Sequence, residues 1–199
     1  MKPIAGDEVL NLHEYEVARP DFRRKVIEVK RRRRVALGPL ITLVFENRET
    51  VLFQIQEMLR IERIVRPEKV QVELDVYNEL LPGDGEVAAT LFIEVTDPAM
   101  VQPTLDRFVG LDEPGRLVLS TGAVDYPAGF AAGQSREDRI SAVHYIRFPL
   151  GDAGRRALAS TGKAGLRVDH GGYSASVELS PETVEELRRD LDDRGASSA

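Results

Sequence analysis

Hydrophobic and polar positions recur along the chain with two periods, which predict a mixture of helices and strands. Spacings of three and four residues, often after a capping residue or proline, predict helices at residues 7–18, 21–31, 48–65, 67–80, 99–108, 152–161 and from 181 onward. Alternation and β-branched residues predict strands at residues 40–45, 90–95, 117–120, 142–150, 166–168 and 174–179. The order is not a regular alternation, which disfavours a doubly wound parallel sheet. We therefore expect one α+β domain over residues 1–194, with a mainly antiparallel sheet packed against several helices, and a disordered tail at residues 195–199.

The segment 67–80 fits both periods. Positions 70–76 alternate between apolar and polar residues as in a strand, whereas Val70 and Tyr77 share one face of a helix. Pro67 suits the first position of a helix, because that position needs no backbone N–H. We therefore predict a helix here.

Two other segments depart from regular periodicity. Pro20 interrupts the first helical pattern, so we expect separate helices before and after it. Residues 122–138 are rich in glycine, alanine and polar residues, which predicts a surface loop with short strands. Such a loop would be either a lid over a site or a connecting segment without a function of its own.

Composition narrows the class of protein. The chain has 199 residues, 42% hydrophobic and 30% charged, which suits one globular domain and argues against disorder. It has no cysteine, which excludes an iron–sulfur cluster held by the chain, a cysteine zinc site, disulfides and a thiol nucleophile. No apolar run approaches the ~20 residues that span a bilayer. The first residues lack the apolar core of a signal peptide, so we expect a cytoplasmic protein.

Charge is segregated along the chain, whose net charge is −6. Residues 23–34 contain eight basic residues against one glutamate, and residues 68–113 contain eleven acidic residues against two basic ones. We predict that an anion or an acidic partner contacts Arg31, Arg32, Arg33 and Arg34, although ion pairs within the chain would explain the same pattern. Nucleic-acid binding is disfavoured, because the chain is acidic overall and no aromatic residue interrupts the run.

One carboxylate lies where an apolar side chain is expected. On a helical wheel of residues 48–65, Glu62 falls in the middle of the stripe formed by Leu52, Ile55 and Leu59. An ionised carboxylate in a core is costly unless it is paired or bound to a metal. The wheel thus predicts that Glu62 faces the core or a pocket.

Two histidines are candidates to complete a site around Glu62. His144 lies on the apolar face of the predicted strand 142–150, and His170 follows a strand just before two glycines. The set Glu62, His144 and His170 would suit iron, manganese or zinc, although no local metal-binding spacing is present. A structural Glu–His or Glu–Arg pair, which we favour, and a pocket for an organic ligand are the alternatives.

Several strings of sequence resemble a known family. They are RRVALGP at 33–39, FENR at 45–48, QIQEMLRIER at 54–63, YNELLP at 77–82 and SAVHYIRF at 141–148. Together they resemble the bacterial family catalogued as domain of unknown function 3501, over about residues 7–190. The resemblance supplies no established activity and no catalytic residues. It implies an accessory role beside rubrerythrin-like proteins and iron–sulfur oxidoreductases in peroxide or redox metabolism.

The sequence leaves three functional hypotheses open. We favour a non-enzymatic accessory protein that docks on a rubrerythrin-like or iron–sulfur partner, because of the resemblance, the segregated charge and the absence of cysteine. The second is a metal-dependent enzyme or metal-binding protein that uses Glu62, His144 and His170. The third is a protein that binds phosphate or nucleic acid through Arg31, Arg32, Arg33 and Arg34.

Overall fold

Helices and antiparallel strands follow one another irregularly in this computed structural model, which describes residues 1–122, 124–136 and 139–193. The helices are α1 (Leu12–Arg33), α2 (Arg48–Ile61), α3 (Pro67–Asn78), α4 (Val101–Asp106), α5 (Gly151–Thr161) and α6 (Pro181–Asp192). The strands are β1 (Arg34–Leu37), β2 (Ile41–Phe45), β3 (Glu86–Ile93), β4 (Leu117–Thr121), β5 (Val124–Pro127), β6 (Gly129–Phe130), β7 (Ser135–Arg136), β8 (Arg139–Ile140), β9 (Val143–Pro149), β10 (Gly165–His170) and β11 (Tyr173–Glu178). The predicted α+β class is confirmed. The predicted tail at residues 195–199 lies outside the described residues.

Two antiparallel sheets enclose the main hydrophobic core. The larger sheet has the strand order β1-β2-β3-β9-β6, and the smaller has the order β11-β10-β4-β5. Strand β1 also packs against β10 and β11, and β5 packs against β9, so the two sheets meet near both edges. Leu43, Leu91 and Phe148 of the larger sheet are buried in the same core as Leu119 and Leu166 of the smaller. Helix α6 adds a stripe of three apolar side chains, those of Val184, Leu187 and Leu191.

Three helices form a second layer on the other face of the larger sheet. Helix α1 packs on β2, α2 packs on α1, and α3 packs on α2. A second hydrophobic core joins α2 and α3 to the N-terminal segment; its buried residues are Ile4, Val51, Ile55, Leu59, Leu74 and Leu81. Strands β2 and β3 are therefore buried on both faces. Polar side chains on these strands depend on partners inside the protein for their hydrogen bonds.

Helix α1 is continuous, which corrects the prediction of two helices separated at Pro20. Pro20 lies inside the helix, on its exposed side. Tyr15, Val26 and Val29 lie before and after the proline and are all buried. This apolar stripe packs on neighbouring elements along the whole helix, and that packing outweighs the hydrogen bond lost at the proline.

Several other helices and strands begin or end at residues that differ from the predicted ones. Helix α3 confirms the predicted helix at residues 67–80, whereas α2 ends at Ile61 rather than at residue 65. Strand β1 was not predicted. Strands β5, β6 and β7 fall within the predicted loop at 122–138, whose residues 123, 137 and 138 lie outside the described part. Within the described residues, no helix combines the length and the apolar character that a bilayer crossing requires.

Candidate functional site

A pocket of about 850 Å³ lies between α3 and the larger sheet. Helix α3 contributes Tyr77 to one wall, and strands β3, β9 and β6 contribute Ala88, Tyr145 and Gly129 to the others. A volume of this size accommodates a drug-sized organic molecule. The mixture of aromatic faces and a few polar groups is typical of ligand pockets.

The register of the larger sheet arranges the pocket floor in rows. Thr90 pairs with Tyr145, and Ala88 pairs with Arg147. The backbone N–H of Glu46 donates to the carbonyl oxygen of Ala88 at 2.9 Å, which extends the pairing of β2 with β3 by one residue. Glu46, Ala88 and Arg147 therefore lie side by side across three strands. Because Ala88 has only a methyl group, it leaves open space between the two charged side chains.

Glu46 is a buried carboxylate without a cationic partner among the described residues. Its residue exposure is 3%. The carboxylate accepts hydrogen bonds from the Thr90 hydroxyl at 2.5 Å, from the Gln54 amide at 3.1 Å and from the Thr50 hydroxyl. None of the ion pairs formed within the described residues includes it. Buried carboxylates in proteins are normally paired with a cation or a metal, so Glu46 is unusual.

The junction between β2 and α2 fixes the position of Glu46. Glu46 continues the alternation of β2, and the next residue, Asn47, caps α2 by accepting a hydrogen bond from the backbone N–H of Thr50 at 3.0 Å. Thr50 and Gln54 then follow Glu46 at four-residue intervals, which places both on the side of the helix that faces it. The local sequence therefore supplies two of the three donors.

Two tyrosines line the same pocket as this carboxylate. Burial raises the pKa of the Tyr145 phenol, and the negative charge of Glu46 raises it further. Burial also raises the pKa of Tyr77, with smaller contributions from Tyr145 and Glu73. Both phenols therefore keep their protons at neutral pH and present hydroxyl groups in the pocket.

The one arginine among the described lining residues is occupied by the protein itself. Arg147 donates from Nη1 to the Leu81 carbonyl oxygen and to Glu86 Oε2, each at 2.9 Å, and also contacts the carbonyl oxygen of Glu79. These bonds hold the chain between α3 and β3. Three of the five N–H donors of the guanidinium are therefore used within the protein.

The family model described as "Protein of unknown function (DUF3501)" matches residues 3–191. The chain belongs to this family. The resemblance found in the sequence strings is thereby confirmed.

A solved structure shares the fold of this DUF3501 chain. The crystal structure of a novel protein of unknown function from Burkholderia pseudomallei K96243 is similar to it, with 32% sequence identity and a TM-score of 0.89. The match covers 96% of this chain and 100% of that chain. No curated protein matches the sequence. These comparisons show the family and the fold, and they assign no activity.

The structure does not assemble the predicted metal site of Glu62, His144 and His170. Helix α2 ends at Ile61, so Glu62 is its C-cap and is exposed to solvent. The prediction that Glu62 faces the core is therefore wrong, because it required the helix to continue to residue 65. Among the described residues, no group of three histidine, aspartate or glutamate side chains is arranged to hold a metal ion.

The two histidines are buried against different aromatic rings, His144 against Phe130 and His170 against Phe108. His144 is 0% exposed, as its place on the apolar face predicts, and its Nε2 lies 2.8 Å from the Ser141 carbonyl oxygen. Burial lowers its pKa, which favours a neutral ring that donates to this carbonyl. His170 stacks on Phe108 with ring centroids 6.5 Å apart. In both rings, Nδ1 has no hydrogen-bond partner in the described part of the chain.

The four consecutive arginines form ion pairs within the chain. Arg33 is 1% exposed and binds Glu186 and Asp190, so the prediction of an external contact is wrong for this residue. The other three keep exposed or partly exposed side chains and pair as follows: Arg31 with Glu28, Arg32 with Glu186 and Arg34 with Glu94. For these three, contact with an anion or partner stays a prediction.

Sequence reasoning missed Glu46 as the unusual carboxylate. The available signal was its place directly after the apolar strand of residues 40–45, where continued alternation puts it on the same face as Val44. Nothing local shows that this face is buried, because Thr90, Tyr145 and Tyr77 reach it from distant segments. The pocket depends on those long-range contacts.

Proposed function

We propose that this protein binds a small organic molecule in the pocket between α3 and the larger sheet. The observation that carries the proposal is Glu46, a residue only 3% exposed at the pocket floor, whose carboxylate is held by neutral donors. A buried carboxylate of this kind lowers folding stability unless something compensates its charge. Polar groups that cost stability are concentrated at functional sites.

The other lining groups support the same function. Tyr77 and Tyr145 offer large apolar surfaces, and their hydroxyl groups can orient a ligand. Gln134 Oε1 accepts a hydrogen bond from the backbone N–H of Tyr145 at 2.8 Å, and the N–H of Ala131 donates to the Tyr145 carbonyl at 2.9 Å. Tyr145 is thus held by the segment beside the pocket, as a preformed site requires.

Ligand-observed NMR tests this proposal. A mixture of small aromatic amines, alcohols and carboxylic acids is added to wild-type protein, and saturation transfer identifies those that bind. In the Ala88→Leu protein, the larger side chain fills the floor of the pocket, so the signals should be lost. The matched control is Ala36→Leu, which makes the same change at an exposed position of β1. Signals that persist in Ala88→Leu, or none in the wild-type protein, would contradict the proposal.

A second proposal concerns partners. We propose that the protein also acts in the cytoplasm as an accessory of a rubrerythrin-like or iron–sulfur partner. The family resemblance and the segregated charge support this, and α3 exposes Val72 and Val76 one turn apart beside acidic residues. Tagged protein should capture such a partner from its own cells, and Val72→Asp should weaken the capture. Eluates free of rubrerythrin-like and iron–sulfur proteins would contradict this role.

A further inference from the structure

The charges around the pocket are predominantly negative. The described lining residues include four glutamates, Glu46, Glu73, Glu79 and Glu86, against the single Arg147. Arg147 is neutralised in part by Glu86 and is bound to backbone carbonyls. Among the described lining residues, four negative formal charges therefore stand against one positive charge, which favours cations over anions.

Glu46 provides a specific position for a positive charge. Within the described residues, the three groups that donate to the Glu46 carboxylate are all neutral, and none supplies a positive charge. A protonated amine would add both a donor and the missing charge, and a charge-assisted hydrogen bond is roughly twice as strong as a neutral one. A neutral ligand would supply only the donor.

Aromatic residues in the pocket also favour a cationic ligand. Tyr77 and Tyr145 line the pocket, and the faces of aromatic rings attract ammonium groups. The phenol oxygen of Tyr145, which is close enough to Glu46 for the carboxylate to raise its pKa, can accept a second hydrogen bond from an ammonium group. Ala88 and Val76 leave apolar surface for the remainder of the molecule.

We propose that the ligand is an organic cation, a primary or secondary amine on an apolar or aromatic body, whose ammonium group binds Glu46 at the floor of the pocket. This inference rests on the proposed function and adds the chemical class of the ligand. Glu46 determines specificity, and the aromatic walls hold the apolar body.

Calorimetric titration of three probes of similar shape tests the inference. The probes are phenethylammonium, the neutral 2-phenylethanol and the anionic 3-phenylpropanoate. Wild-type protein should bind the cation about tenfold or more tightly than the alcohol and bind the carboxylate most weakly. Glu46→Gln should abolish the difference between cation and alcohol while still binding the alcohol. Glu62→Gln is the matched control, because it removes one negative charge at an exposed site outside the pocket and should behave like wild type.

The outcomes separate the inference from the proposed function. Equal affinity for cation and alcohol, or tighter binding of the carboxylate, would overturn the inference and leave the pocket as a ligand site. A cation preference that persists in Glu46→Gln would also overturn it. If no probe binds at millimolar concentration, the proposed function fails and the inference fails with it. The comparison of probes on wild-type protein holds whether or not the Glu46→Gln protein folds.

Discussion

Arg33 and Glu46 are both charged side chains that the fold removes from water, and their surroundings differ. The guanidinium of Arg33 donates to Glu186 Oε2 at 2.7 and 3.1 Å and to Asp190 at 2.6 and 2.9 Å. Its charge and its hydrogen bonds are therefore satisfied within the protein. Glu46 receives hydrogen bonds but no compensating charge from the residues that the structure describes, which is why Arg33 has a structural role and Glu46 marks the candidate site.

Removing Arg33 should destabilise the protein strongly. Burial already raises the pKa of Asp190, and Arg33 opposes that shift, so Arg33→Ala leaves two carboxylates buried beside each other. We expect a loss of about 3–5 kcal/mol in the free energy of unfolding, measured with urea. Arg31→Ala, in the same run but at an exposed pair with Glu28, should change it by less than about 0.5 kcal/mol. Equal losses in the two variants would contradict this assignment.

Glu57 should make stability depend on pH in the acidic range. Its pKa is lowered from 4.5 to about 2, first by the two hydrogen bonds that Arg19 donates and also by the one from the Tyr15 hydroxyl. Because the pKa falls on folding, the stabilisation is complete above pH 4.5 and is lost as the pH falls toward 2.

Comparison with Glu57→Gln isolates this effect. At pH 7 the variant should lose about 1–3 kcal/mol in the free energy of unfolding, because charge-assisted hydrogen bonds to Arg19 are removed. The difference between wild type and variant should shrink as the pH is lowered through the acidic range. Urea unfolding at several pH values measures both quantities. A difference that stays constant with pH would show that the Glu57 charge does not contribute.

The starts of the helices could be predicted from the sequence, whereas the packing of one element on another could not. Asn47 and Pro67 lie at the starts of α2 and α3, and both starts could be predicted to within a residue. The reason is that a capping residue or a proline at a helix start acts only on the first turn of its own helix. The end of α2 carries no comparable signal in the sequence. The backbone of Glu62 is still in the right-handed helical conformation, and the chain leaves the helix at Arg63, whose φ is 52°. A difference of four residues in the helix end changed Glu62 from a predicted core residue to an exposed one.

The continuity of α1 leads to a prediction at Pro20. The proline lies in the helix interior on an exposed side, where it removes a backbone hydrogen bond. Pro20→Ala should therefore raise the free energy of unfolding by about 1–3 kcal/mol. Pro181→Ala is the control, because Pro181 occupies the first turn of α6, where proline is tolerated. No gain in the Pro20→Ala protein, measured by urea unfolding, would contradict a continuous helix.

At the scale of the whole molecule, the fold class followed from the sequence and the pocket did not. The alternation of apolar and polar residues in the predicted strand 142–150 placed His144 on the apolar face, and His144 is buried in the structure. Glu46, Tyr77 and Tyr145 come from three distant segments, and only the sheet register and the position of α3 bring them together. One sequence contains no signal for such pairing, since each residue is unremarkable in its local pattern.

The molecule also offers a smaller pocket for comparison. A groove of about 270 Å³ lies between the N-terminal segment and α3 and is lined mainly by apolar side chains, among them Val9, Leu12, Leu59 and Val70. It lacks a buried carboxylate among its described lining residues. An apolar probe could enter this groove, whereas the ligand class inferred here requires the pocket at Glu46.

Backbone amide chemical shifts recorded during a titration with phenethylammonium show which residues the ligand contacts. Saturable shifts should appear at Glu46, Ala88, Gly129 and Tyr145, which line the large pocket, and should be absent in the Ala88→Leu protein. Shifts confined to the groove around Val9 and its neighbours, or none that saturate, would contradict the assignment of this pocket as the ligand site.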